Sequence, residues 1–241
     1  MNNEDNLDYL RVPKDLTTLR ERTTTALRSA IFNLHLKPGQ RLIESELCAM
    51  TGVSRSSVRE AMRNLEAEGL VVPMAGRGMQ VTPLSADMAR EVYEVTGVLE
   101  AAAGRNFAER ATADDIRELN SAMSRLKKTK NSPAGSQYVD ALDDVHQVLL
   151  QGAKNQIAGQ LIATLKGRIH FLRALTSNAE TPKRRRKNIT LVGEIVDAAC
   201  QHKAKRSARL CKAFVDRSAA FADKISKQYE ATSDAPVSEN A

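Results

Sequence analysis

Apolar residues recur every three or four positions along most of this chain, the spacing that gathers them on one side of an α-helix. Residues 16–33 carry Leu19, Ala26, Leu27, Ala30 and Ile31 in that register and predict a first helix. A short helix follows over 44–50, and Thr51 and Gly52 make a tight turn before a third. Within 53–70, Val58, Ala61, Met62 and Leu65 form one apolar stripe, while Arg55, Ser56, Ser57, Arg59 and Arg63 occupy the start and the opposite side. Ser54 or Ser56 can cap the first N–H groups, and Gly69 suits a left-handed stop. The period then changes to β-prone runs at 70–72 and 79–81, separated by a turn in which Gly76 and Gly78 flank Arg77. Beyond Pro83 the helical spacing returns, predicting helices over 86–109, 113–129, 136–152, 156–176, 187–202 and 204–228. Thr112-Ala-Asp-Asp115 reads as a capping box at the start of the second of these.

The pattern predicts a mostly α chain. A winged helix-turn-helix spans 15–83, and an all-α bundle of about six helices spans 84–228, close enough in sequence for the two to feel each other. Polar segments at 1–14 and 229–241 are expected to be a flexible arm and tail.

Charge adds a direction to this outline. Arginines crowd the positive end of the dipole of the helix over 53–70, where phosphate or guanine acceptors would relieve their repulsion. A net charge of +7 and a pI near 9.4 fit a nucleic-acid binder, although the surplus lies largely after the winged region and includes the run 183–187, read here as a solvated loop. With 42% hydrophobic and 27% charged residues in 241, the chain has material for a small and a larger domain. No apolar run is long enough to span a bilayer and the start is polar and acidic, so a cytoplasmic location is expected. Cys48, Cys200 and Cys211 show no paired spacing and are expected to be reduced, with no metal or other cofactor.

The winged region is similar to the GntR family of bacterial transcription regulators. The resemblance is carried by Pro38-Gly39-x-Arg41-Leu42, Glu46-Leu47, Gly52-Val-Ser-Arg55, Val58-Arg-Glu-Ala61, Leu65-Glu66, Glu68-Gly-Leu70 and Gly76-Arg-Gly78. It implies that Arg55, Ser57 and Arg59, with Ser54 and Ser56 beside them, meet the major groove of double-stranded DNA, and that Gly76 and Arg77 approach the minor groove. Arg41, Ser45 and Arg63 are further candidates on the same side.

The second region resembles the FCD domain of the FadR-type branch, through Val92-Tyr-Glu-Val95, Leu99-Glu100, Val145-His146, Asn155 and Glu194-Ile-Val-Asp-Ala198. In many relatives this domain holds a metal through an aspartate and three histidines. Of that set only His146 is present; Leu142, Val192 and Phe214 stand at the other positions and cannot ligate a metal. Asp143, His170 and His202 leave a displaced site open as an alternative. Thr96 replaces an arginine expected to meet an effector carboxylate. The expectation is a metal-free pocket bordered by Leu142, Asp143, His146, Val192 and Phe214, with Arg168 or Arg173 available to an anion.

Together these readings predict a homodimeric, ligand-responsive regulator, a repressor, that binds an inverted-repeat operator and a small anionic or apolar effector, with no membrane partner. An effector-independent architectural DNA-binding protein is the alternative. An enzyme is disfavoured because no nucleophile motif or phosphate loop accompanies the acidic residues around His146.

Overall fold

The computed structural model describes residues 19–76, 78–132 and 135–233. The expected arm at 1–14, Arg77 and the end of the expected tail lie outside them.

Helix α1 (Leu19–Phe32) leads through a turn to strand β1 (Arg41–Leu42), then to α2 (Glu44–Thr51) and α3 (Arg55–Ala67). Gly52 ends α2 in the left-handed conformation, which makes the turn between α2 and α3. Ser54 caps α3, its hydroxyl accepting from the Ser57 N–H at 3.3 Å. Val58, Ala61, Met62 and Leu65 are the buried residues of α3, so the apolar stripe read from sequence is the face that packs. Strands β2 (Val71–Pro73) and β3 (Met79–Val81) form the wing, and β1 adds a third antiparallel strand in the order β1-β3-β2. Arg41 pairs with Gln80, which fixes one edge of the wing to the chain entering α2.

Six α-helices follow among the described residues: α4 (Ala86–Arg110), α5 (Ala113–Lys128), α6 (Gly135–Gly152), α7 (Gln156–Asn178), α8 (Pro182–Cys200) and α9 (Ala204–Ser233). The capping box at Thr112 and Asp115 forms as expected. Helix α9 lies along α4 at a distance only small residues allow; a Cβ at Gly104 would sit 2.6 Å from the Cys211 sulfur. Two expectations change. Helix α9 runs to Ser233, so residues 229–233, read as tail, continue the helix. The run 183–187 is not a loop: Thr181 caps α8 and Pro182 opens it. Within that run, the Arg184 guanidinium lies 3.7 Å from the centre of the Phe221 ring, and Arg185 is buried and donates to the Ser132 carbonyl at 2.7 Å. Lys183, Arg186 and Lys187 remain exposed.

Buried apolar residues form a continuous cluster from Leu27 and Ile31 through Leu65 and Leu70 into Phe171, Val192 and Phe214. The winged unit and the bundle are thus packed on each other, with α7 at the contact.

Candidate DNA-reading face and effector cleft

At the start of α3 three hydroxyls crowd together, Ser54 lying 2.9 Å from Ser56 and 3.1 Å from Ser57. Arg55, the first helical residue, is exposed and has no hydrogen bond or ion pair among the described residues. Arg59 is also exposed, but its Nε donates to Glu44 at 2.7 Å, and that bond holds the Glu44 carboxyl below the usual range. Arg63 pairs with Glu60 at 2.6 Å. Ser45 is exposed on α2 and Arg41 on β1, whose Nε is 3.9 Å from where a Cβ on Gly78 would lie. Gly76 and Gly78 have φ of 104° and 118°, a backbone that side chains resist. The helix N-terminus thus gathers three hydroxyls and two exposed arginines, of which Arg55 is unpaired among the described residues, the chemistry of a phosphate and base-edge reader.

The expected pocket residues separate into four groups. Asp143, His146 and Arg173 line a cleft of about 460 Å³ between α6 and α7, whose walls include Leu150, Ile162 and Ile169 and whose outer residues include Lys154 and Lys166. Leu142 and Phe214 instead border a much smaller hollow beside Tyr93 and Glu180, and Val192 and Thr96 are in the core, the Thr96 hydroxyl bonding back to the Val92 carbonyl at 2.6 Å. Arg168 is not in the cleft. Its guanidinium lies over Gly69, where an added Cβ would be 2.1 Å from Cζ, so it belongs to the contact between the bundle and the end of the recognition helix.

Beneath the cleft is an ionic cluster whose acidic partner, Glu100, was read from sequence only as part of the family pattern. Glu100 is 3% exposed; one oxygen lies 2.6 Å from His146 Nδ1, off the line of a good hydrogen bond, and the other 3.6 Å from Arg173. Asp143 forms an ion pair with Arg173 and lies 2.5 Å from His170 Nδ1. Burial pushes the Asp143 pKa up, but Arg173 and His170 outweigh it and hold the carboxyl at about 2. Burial also pushes Glu100 up, and His146 with Arg173 reverses that to a lowered value. In the opposite sense, burial raises the Tyr93 phenol to about 12, keeping it neutral beside the cluster.

The family's metal does not fit these residues. Asp143 is turned to Arg173 and His170, His146 Nδ1 faces Glu100, and Leu142, Val192 and Phe214 supply no donor atoms. Among the described residues no group of three or more His, Cys, Asp or Glu side chains comes together to hold an ion. His202, the other candidate, faces the Ala108 carbonyl at 2.8 Å.

Helix α7 carries one face in the cleft and another against the winged unit. On the cleft side are Ile162, Lys166, Ile169 and Arg173. On the other, the His170 ring stacks on Phe32 of α1 at 4.0 Å between centres, and a Cβ on Gly167 would come within 2.9 Å of the Glu68 carbonyl. Arg28 of α1 donates to Glu68 at 2.8 Å, completing the tie between α1, the end of α3 and α7. No described helix is long and apolar enough to cross a membrane.

Comparison with known proteins agrees with the two halves. Residues 19–81 match the bacterial regulatory proteins of the gntR family and residues 91–217 match the FCD domain. The HTH-type transcriptional regulator YdhC of Bacillus subtilis is 31% identical over 150 residues, which cover 62% of this chain and 67% of YdhC. The HTH-type transcriptional repressor RspR of Escherichia coli K12 is 27% identical over 156 residues, 65% of this chain and 68% of RspR. The solved structure of E. coli McbR/YncC shares the fold, with a TM-score of 0.73 at 20% identity over 89% of this chain and all, 100%, of that one. The chain belongs to the GntR family of bacterial regulatory proteins, a transcription regulator whose winged helix-turn-helix is followed by an FCD domain.

Proposed function

We propose that this protein is a homodimeric repressor of the FadR-type branch, acting in the cytoplasm, that releases an inverted-repeat operator when a small metabolite fills the α6–α7 cleft. The observation that carries the reading is the double role of α7. A ligand can change DNA affinity only if it binds one arrangement of the winged units better than another. A helix whose residues line the cleft and also touch Phe32, Glu68 and Gly69 gives the ligand that leverage. A cleft of about 460 Å³ is of metabolite size. Its composition supports an amphipathic ligand without a metal. Leu150, Ile162 and Ile169 suit an apolar body, whereas the two carboxylates of Glu100 and Asp143 already share the Arg173 guanidinium and disfavour a further anion at the inner end. An anionic group is better placed at the rim, where Lys166 is exposed and Lys154 is bonded to Asp115 at 2.8 Å. RspR, named a repressor, supports the sign of regulation by similarity.

The DNA side of the proposal is tested by selecting bound duplexes from a random pool with the full chain. The expected winners contain an inverted repeat with half-sites about one helical turn apart, since twofold proteins select twofold sites. Winners without a repeat, or no enrichment over the starting pool, would contradict it.

A further inference from the structure

The basic run 183–187 turns Arg184 and Arg185 inward, and the acid they meet cannot offset them both. Where α7 gives way to α8, with the 3-10 turn Thr129–Asn131 and the start of α6 opposite, the chain encloses a cavity of about 420 Å³. It shares no lining residue with the effector cleft, whose α7 residues end at Arg173, one turn before Ser177 of this cavity. The charged residues of its described lining are Lys130, Glu180 and Arg185.

The arginines converge on Glu180, whose side chain is 4% exposed. One of its oxygens accepts from the Asn188 amide at 2.6 Å and lies 3.6 Å from Arg184 Nε; the other lies 3.7 Å from Arg185 Nε. Both arginine contacts are too long for hydrogen bonds, and the two Nε groups and the second Glu180 oxygen are buried without a hydrogen-bond partner. Arg217 is a third cation, near enough for its charge to act on Glu180 and on Arg184. Burial pushes the Glu180 pKa up in spite of these arginines, which makes it a weak counterweight. Burial and Arg217 together push the Arg184 guanidinium down, the direction expected where cations outnumber their partners. Arg185 itself is 9% exposed, its Nη1 donating to the Ser132 carbonyl at 2.7 Å. A buried guanidinium with an N–H unused is costly until an acceptor reaches it.

We propose that this cavity is a second ligand site, which takes a small polar molecule by its carboxylate or phosphate, the oxyanion lying between Arg185 and Lys130. Guanidinium donors match the planar spread of such oxygens. Asn131, Ser132 and Ser177 suit a hydroxylated body, and only Pro182 of the described lining offers an apolar side chain. The ligand therefore differs in class from the amphipathic one assigned to the cleft, and the two sites stand or fall separately. Gly135 borders both this cavity and the crevice that holds Phe32 and His170, so a bound anion sits beside the contact with the winged unit.

The test is isothermal titration calorimetry on the full chain with inorganic phosphate, glycerol 3-phosphate and glycerate, with glycerol as the uncharged body and circular dichroism to confirm folding. The anions are expected to bind and glycerol is not; the tighter of glycerol 3-phosphate and glycerate names the oxyanion. Lys130→Glu, at an exposed position, is expected to weaken binding by about tenfold or more, and Arg185→Gln to remove it. Lys187→Glu makes the same charge change on α8 outside the lining and is expected to leave affinity within about twofold. If Arg185→Gln does not fold, Lys130→Glu decides. No heat from any of the anions would overturn the proposal. Binding that Lys130→Glu leaves in place, or that Lys187→Glu weakens as much, would move the anion to another basic surface, the recognition helix included, and overturn it too.

Discussion

Replacing Arg55 by Ala is expected to lower affinity for the selected duplex by about 10- to 100-fold, the range of one bidentate guanine contact, and to relax discrimination at one base pair in each half-site. Arg55 is the first residue of α3, exposed, with no ion pair to give up on binding DNA. Its cap depends on Ser54, so the helix start should survive the substitution and thermal stability should stay unchanged. Arg59 makes an instructive contrast. It must exchange the Glu44 carboxylate for a base or phosphate, or bind while Glu44 orients it, so Arg59→Ala loses a smaller net contact. The comparison is made by fluorescence anisotropy on the selected duplex and on single-base variants of it. Loss of affinity equal across all sequences would assign Arg55 to phosphate, and no loss would remove it from the interface.

Replacing Asp143 by Ala is expected to destabilise the bundle by about 3 to 5 kcal/mol, the cost of leaving a buried guanidinium without its partner. Arg173 is 9% exposed and would keep only the Glu100 oxygen 3.6 Å away, while His170 would lose its bond at 2.5 Å. A melting temperature lower by roughly 10 °C follows for a chain of this size. The double variant Asp143→Leu/Arg173→Met should recover only part of the loss, because it removes that pair but leaves the buried Glu100 carboxylate without Arg173. The same pair sets an acid limit. Asp143 is held at about 2 when folded against 3.8 when free, so its contribution is fully present above pH 4 and disappears as pH falls through about 2. Denaturant midpoints measured between pH 5 and 2 should fall less steeply in Asp143→Asn than in the wild type. An unchanged melting temperature in Asp143→Ala would mean that Arg173 reaches solvent and that the cluster is not closed.

The recognition helix was legible because its signals are local: a serine cap, an apolar stripe at 58, 61, 62 and 65, and a glycine stop. Strand β1 was not, because two residues carry no period and take their conformation from β3. The start of α8 was overlooked although Thr181-Pro182 is a start signal; the density of positive charge in 183–187 masked it. Of the expected pocket residues His146, Asp143 and Arg173 line the cleft and Arg168 does not, because a register argument along one helix cannot say which neighbour packs against which face. Glu100 belongs to the same limit. Its partners come from α6 and α7, and nothing near it in sequence announces a buried carboxylate. Leu142, Val192 and Phe214 supply no metal donors, and their apolar side chains close into core and a small hollow instead of opening a pocket.

The central claim is that occupancy of the cleft controls the winged units through α7. Gly159 lines the cleft, and a Cβ built there meets nothing within 4 Å, so Gly159→Phe offers a ring to the cleft without overpacking the helix. The most direct measurement is the dissociation constant of this variant for the selected duplex, beside the wild type, with melting temperature recorded for both. The account predicts affinity weakened by tenfold or more, about 1.4 kcal/mol, at equal or higher melting temperature. Equal affinity in a folded variant whose cleft no longer accepts ligand would contradict it and leave a regulator that reads DNA without listening to α7.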